Sequence, residues 1–323
     1  MRPLAPHRDR SAPPNRPLRY AICTQGGKEY PSQNINVIVQ YSAGGGTDVS
    51  VRGVLQAVEG LPSGVSFAVS NVTGGAGLIG LNQVMTADAD GYTLGVLNTD
   101  LVINYCLGRT KISVDDFEPI ACALIDPFVL IARADAPYKT FGEFIEYAKA
   151  HPGKIVVGDT GVGAAPSLAV LAIEQRYGVE FKVVSYGGSA DCVTAIAGGH
   201  IDATIAQTVN AASQVKAGTM NFIAALSDER LTTYPEIPTI KEYDPSVDFE
   251  FPGFCIISVK KGTPEAAITY LRNKIRPAVD SVAFKDTLKK MGMQTVNYSG
   301  EEAKEFLAGQ LEQYSKLCKN IKL

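Results

Sequence analysis

The chain has 323 residues, 46% apolar and 20% charged, with a formal net charge of −3. That composition describes a globular protein with room for two α/β domains or one large one, and it excludes disorder for most of the length. Acids and bases are mixed, so there is no basic field for nucleic acid or an acidic membrane, and no apolar run is long enough to cross a bilayer.

Residues 1–33 differ from the rest: they are rich in Pro and Arg and nearly lack apolar residues, so a disordered leader is expected there. The segment has no apolar stretch of the length a secretory signal needs. Cys23 is followed by Thr24, Gln25, Gly26 and Gly27, a spacer of the kind that trails a lipid-modified cysteine, although Tyr20, Ala21 and Ile22 before it make a poor lipobox. The other cysteines are Cys106, Cys122, Cys192, Cys255 and Cys318, with no CxxC and no metal-ligand spacing. They read as small buried apolar side chains, with one disulfide, Cys106 to Cys122, left open in an oxidising compartment.

The chain proper opens on Val37, Ile38 and Val39, an unalternating β-branched run expected of a strand covered on both faces. Gly44, Gly45 and Gly46 follow, with Thr47 and Asp48 placed to cap a helix whose buried stripe is Val51, Val54, Leu55 and Val58. Such a strand, glycine turn and helix start can hold an anion, because free N–H groups and the helix dipole converge there. Residues 65–70 repeat the pattern as a strand, and residues 71–81 form a second glycine turn opening a helix. Gly75, Gly77 and Gly80 fit G-x-G-x-x-G, and Asp100 lies twenty residues past Gly80 after a strand at 92–97, a formal dinucleotide fingerprint.

Residues 120–124 and 128–131 form a long apolar strand that crosses from one domain to another. Thr140 and Glu143 make a capping box for a helix ending at His151 and Pro152. The first pattern then returns twice: a strand at 154–157 with a turn from Gly158 to Pro166, and a strand at 181–186 with Gly187 and Gly188 as turn and Ser189 as cap. Strands at 201–206 and 222–225 follow, and residues 231–252 are an irregular excursion. A strand at 254–259 returns to the first domain, Thr263, Pro264 and Glu265 start a helix in the order cap, N1 proline and acid, and Ser299 with Glu302 caps the last helix. The expected division is residues 34–125 with 254–323 against 126–253, two α/β lobes closing on a ligand.

The chemistry of an enzyme is sparse. His7, His151 and His200 lie in the leader or at element ends, and no HExxH, GxSxG, P-loop or paired-acid signature occurs. The four glycine turns contain no Lys or Arg, so an anion there rests on backbone N–H groups, hydroxyls and helix dipoles, which suits reversible holding. A rival reading, a nicotinamide-dependent oxidoreductase, rests on Gly75 to Gly80 and Asp100; another is a ligand-sensing or scaffold protein with no transport role.

Tyr30, Pro31 and Ser32; Gly44 to Asp48; Gly74 to Gly77; Asp90 to Leu94; Gly158 to Pro166; Tyr186 to Gly188; and Ala217 with Gly218 occur in an order that resembles the substrate-binding proteins of tripartite tricarboxylate transporters, the Bug family. The resemblance runs from about Tyr30 to the C-terminus. It implies a type II periplasmic-binding-protein fold, with two α/β lobes, a hinge of two crossing strands and a ligand cleft. It further implies a periplasmic monomer without cofactor or metal, which captures a small carboxylate for the membrane subunits of its transporter. Carried over residue by residue, the ligand contacts are Tyr41, Ser42, Thr47, Gly75, Ala76, Gly77, Thr160, Gly161, Ala164, Tyr186 and Gln207, with Asp48 and Asp159 organising turns. This chain departs from the family pattern at Gln40, Ser42 and Ala43, where prolines are common. It departs again at Ala164 and Ser167, where a hydroxyl and a histidine are usual, and at Ala206, where an aspartate is.

Overall fold

The computed structural model describes residues 23–25, 28–59, 66–293 and 296–320. In chain order the elements are β1 (Cys23–Gln25), β2 (Lys28–Tyr30), β3 (Ile35–Val39), α1 (Gly46–Glu59), β4 (Phe67–Asn71), α2 (Leu78–Thr86), β5 (Thr93–Leu97) and α3 (Thr99–Cys106). There follow β6 (Phe117–Pro127), β7 (Val129–Arg133), α4 (Phe141–Ala150), β8 (Val156–Asp159), α5 (Ala165–Tyr177), β9 (Lys182–Ser185), α6 (Ser189–Ala197) and β10 (Ala203–Ala206). The last are α7 (Thr208–Lys216), β11 (Met220–Ala225), α8 (Ile240–Tyr243), β12 (Pro252–Lys260), α9 (Glu265–Val279), α10 (Val282–Lys290) and α11 (Gly300–Asn320).

Two five-stranded mixed sheets result, β4-β3-β5-β12-β6 and β11-β7-β10-β8-β9. The strands that run into glycine turns, β3 and β4 in one sheet and β8 and β9 in the other, pair in parallel, so their carboxyl ends bring the turns to the edge where ligands bind in open α/β sheets. Val37 and Val39 of β3 are fully buried, as their β-branched run requires; each such side chain contributes about 1.5–3 kcal/mol by leaving water.

The lobes are joined by β6 and β12, which pair antiparallel from Phe117 with Lys260 to Pro127 with Pro252. Beyond this ladder the chain passes into the second sheet at Phe128, whose N–H donates to Phe251 and whose carbonyl accepts from Leu226. These two strands are the crossing. One hydrophobic cluster runs from Ile38 and Leu81 through Leu101 to Phe144, Ile173 and Phe251, so apolar packing is continuous between the lobes. The last helix straddles both: α11 lies along α3 and β6, while Gln313 Nε2 donates to the Glu250 carbonyl at 2.8 Å and the Tyr314 ring meets Phe251.

Several expectations need correction. Order begins before residue 34: β1 and β2 pair antiparallel, and Tyr30 is buried with its hydroxyl donating to the Gly91 carbonyl at 2.7 Å and its ring against Tyr92 and Tyr270. One anchored aromatic offsets a polar composition there; residues 1–22, and with them most of the expected leader, lie outside the described residues. Cys106 and Cys122 are both free thiols, because Cys122 points into the β6 interior while Cys106 closes α3 against α11. Ser189 does not cap α6: the extended cap position belongs to Gly188, and Ser189 is the first helical residue. Thr263 turns its hydroxyl back to the Lys260 carbonyl, leaving Pro264 at the cap of α9. The capping boxes at Thr140 with Glu143 and Ser299 with Glu302 form as expected.

Candidate functional site

The glycine turns of both lobes face one cleft of about 370 Å³, within the size range of small-molecule sites. Its first wall is the turn between β3 and α1. Gln40, the residue after β3, is buried and donates from Nε2 to the Val96 carbonyl at 2.6 Å, fixing where the turn leaves the sheet. Asp48 then organises the loop from behind. Its Oδ2 accepts from the Gly44 N–H at 2.9 Å, and its Oδ1 accepts from Asn71 Nδ2 at 2.8 Å and Arg52 Nε at 2.9 Å. Burial alone would raise this carboxyl, but the Gly44 amide, Asn71 and Arg52 outweigh it and hold it below the usual carboxylate range. Arg52 is thereby engaged with Asp48 and Asn71, outside the cleft lining.

The second wall is the turn between β4 and α2. Ala76 sits at φ +51°, the one non-glycine residue with positive φ among those described, and Gly77 follows at φ +85° as the cap of α2. A Cβ on Gly77 would lie 2.8 Å from Gln40 Cγ and 3.1 Å from the Tyr41 hydroxyl, so the two first-lobe turns are pressed together. A strained alanine at the mouth of a cleft is the sort of backbone cost that persists where surrounding structure enforces it.

The third wall comes from the second lobe. β8 ends at Asp159, whose Oδ1 accepts from the Gly161 N–H at 3.1 Å and whose carbonyl accepts from the Tyr186 N–H at 2.9 Å, tying two turns together. α5 begins behind this turn with a deficit: its cap is Ala164, which has no side-chain acceptor, and Pro166 has no N–H to give. The Ala165 N–H instead donates to Asp100 Oδ1 at 2.9 Å, from α3 of the opposite lobe. Asp100 Oδ2 accepts from the Tyr41 hydroxyl at 2.7 Å, and that hydroxyl accepts in turn from Asn98. Asn104, one turn along α3, donates to the Gly163 carbonyl at 2.8 Å. Burial pushes the Asp100 carboxyl up to about 6, against the opposing pull of the Ala165 amide and the Tyr41 hydroxyl.

Tyr41, Ser42, Thr47, Gly75, Ala76, Gly77, Thr160, Ala164, Tyr186 and Gln207 all line the cleft, whereas Gly161 does not. Gly161, at φ +90°, makes the turn itself, its carbonyl accepting from Ser167 Oγ and the Ala164 N–H. Asp48 and Asp159 are likewise behind the surface. Residues not expected at the site are Gln40, Asn98, Asn210, Phe128 and Phe254. Among the described lining residues there is no Lys, Arg or His, and Asp100 is the one carboxyl. The dinucleotide reading fares poorly, because Asp100 is engaged across the cleft with Ala165. A Cβ on Gly80 would lie 2.9 Å from the Val72 carbonyl and 3.0 Å from Gln40 Cβ. Gly80 therefore serves close helix–strand packing.

The family described as tripartite tricarboxylate transporter family receptor matches residues 56–323. A TctC solute-binding protein from Polaromonas, crystallised without ligand, is 32% identical, with 90% of this chain and all of that one aligned at a TM-score of 0.70. The periplasmic binding protein BugD is 26% identical over 90% of this chain and 98% of its own, with a TM-score of 0.80. MatC of Rhodopseudomonas palustris with bound malate, 22% identical, shares the fold at a TM-score of 0.81 over 89% of this chain and 99% of its own.

Proposed function

The chain belongs to the tripartite tricarboxylate transporter receptor family, and on that premise we propose that it is a periplasmic, monomeric solute-binding protein, which captures one small mono- or dicarboxylate and hands it to the membrane subunits of its transporter. The observation that carries this reading is the cleft itself: four glycine turns from both lobes, each opening a helix, converge on one space with no cationic side chain and no nucleophile–base pair among its described lining residues. Backbone N–H groups and helix dipoles attract a carboxylate there without the strong charge pairing that would slow its release. The protein catalyses nothing and needs no cofactor. The lobes, residues 34–125 with 254–323 and residues 126–253, turn about β6 and β12, and ligand bridges them.

A thermal-shift screen of mono- and dicarboxylates, malate among them, beside NAD and NADP tests this. A ligand present at a thousand times its Kd stabilises the folded state by about 4 kcal/mol, well above detection. Stabilisation by at least one acid and by neither nucleotide is expected. Stabilisation by a nicotinamide cofactor alone would refute it, and silence across a broad acid panel would favour a sensor or scaffold.

A further inference from the structure

Two thiols left out of the cleft face one another on the opposite side of α3. Cys106 is the last residue of α3, and its Sγ lies 3.9 Å from the Leu311 carbonyl and 3.4 Å from Ser315 Oγ on α11. Leu311, Ser315 and Cys318 are spaced i, i+4 and i+7, so Cys318 lies one turn beyond Ser315 on the same face. The two cysteines hydrogen-bond to each other, both are free, and both are half-buried, so a reagent in solvent can reach them. Cys122, Cys192 and Cys255 are by contrast fully buried.

We propose that Cys106 and Cys318 form a redox-active pair that closes to an intramolecular disulfide, fastening the C-terminal helix to α3. The hydrogen bond from Cys318 lowers the Cys106 thiol below its ordinary range, which makes Cys106 the attacking sulfur and leaves Cys318 as the group that keeps its proton longer. The oxidant is a disulfide. The Cys106 thiolate attacks one of its sulfurs and expels the other as a thiol, giving a mixed disulfide. Cys318 then loses its proton and attacks the Cys106 sulfur, expelling the second thiol. Two protein thiols are oxidised by two electrons, one disulfide is reduced to two thiols, and the two protons leave with the products.

The consequence is structural and reaches both lobes. α11 touches the second lobe through Gln313 and Tyr314, and α3 presents Asn98 and Asp100 to the cleft from its other end. Linking residues 106 and 318 closes a loop of more than two hundred residues, the regime in which a cross-link restricts the unfolded chain most. The inference draws on the proposed periplasmic location only for where the oxidant is met; the pairing is read from the fold.

The test uses the purified full chain, reduced and then equilibrated with oxidised glutathione, quenched with an alkylating agent under denaturing conditions and mapped by peptide mass spectrometry. A peptide linking Cys106 to Cys318 is expected, with Cys122, Cys192 and Cys255 alkylated, and the oxidised protein should melt about 5 °C or more above the reduced one. Cys318→Ser should lose both the cross-link and the shift between the two preparations. Cys106 and Cys318 fully alkylated after oxidation, glutathione retained on Cys106, or a link from either to Cys23 would overturn the pairing. None of these depends on a carboxylate being bound, so failure here and failure of the functional reading are separate results.

Discussion

Replacing Asp100 by asparagine should change how the stability of the protein depends on pH, and the direction follows from burial. In the fold this carboxyl is raised from 3.8 to about 6, chiefly because it has left water. A raised folded value means that the neutral acid is the form the fold prefers. The contribution is therefore fully present below about pH 4, is lost as pH rises through about 6, and amounts to roughly 2 units, or about 3 kcal/mol. Asparagine reproduces the neutral acid, since its carbonyl can accept from the Ala165 N–H while its amide donates toward the Tyr41 hydroxyl. Urea unfolding of both proteins at intervals between pH 4 and 8 should give similar stabilities near pH 4, with the variant about 3 kcal/mol more stable by pH 7.5. An anion held about 6 Å from Asp100 would also meet a repulsion of about 3 kcal/mol at an effective dielectric constant of 20. Carboxylate affinity should accordingly fall between pH 5.5 and 7.5 in the wild type and stay flatter in the variant. If the two unfolding profiles run parallel across this range, Asp100 does not titrate as its burial requires and the reasoning fails.

Four further outcomes follow from the same geometry. Gly77→Ala drives a Cβ to within 2.8 Å of Gln40 in a backbone conformation alanine resists, so calorimetric titration should show binding lost by tenfold or more, with circular dichroism unchanged. Thr160→Ala should cost only about 0.5–1.5 kcal/mol of affinity; the reverse ranking would mean that side chains, not the turns, carry the ligand. Tyr41→Phe leaves Asp100 short of a donor and Asn98 short of an acceptor, which should lower stability by about 1–3 kcal/mol at neutral pH in urea unfolding, and a variant as stable as the parent would show that this network contributes nothing. Small-angle scattering should give a smaller radius of gyration once a stabilising carboxylate is added, and an unchanged profile at saturation would count against hinge closure.

What the sequence disclosed was local. Strand, glycine turn and helix start fall within a dozen residues, and Thr140 with Glu143 or Ser299 with Glu302 signal a helix start within four. That is why the turns from Tyr41 to Gly77 are legible in the local pattern, whereas the individual contacts within them rest on the family resemblance. Chain-distant pairings were not. Nothing near Asp100 in sequence says that it will meet Ala165, sixty-five residues on, nor that Gln40 reaches the Val96 carbonyl, nor that the neighbour of Cys106 is Cys318 rather than Cys122. Single-residue caps failed for a related reason. At Ser189 and Thr263 the residue type was right for a cap, but whether it takes the extended position is set by the loop before it.

The cap that α5 lacks decides how the two lobes share the ligand. Ala164 offers no oxygen and Pro166 no N–H, and the Ala165 N–H is already taken by a carboxylate from the other lobe. The feature that attracts anions at a helix start is, in the second lobe, partly neutralised by Asp100. In the first lobe Asp100 bonds the Tyr41 hydroxyl but takes up no backbone N–H at the starts of α1 and α2, and Asp48 bonds Gly44 from behind. On the proposed function, the ligand carboxylate is expected against the first-lobe turns, with the polar groups of Thr160, Tyr186 and Gln207 in the second lobe facing the remainder of the molecule. Substitutions on the two walls should then differ in kind. Gly77→Ala should weaken every acid that binds. Tyr186→Phe and Gln207→Ala should instead alter the ranking among acids of different length and hydroxylation, each by a few-fold, as expected from the loss of one hydrogen bond. Titration of a short panel against the three variants separates these patterns, and a uniform loss from all three would show that neither lobe holds the carboxylate alone.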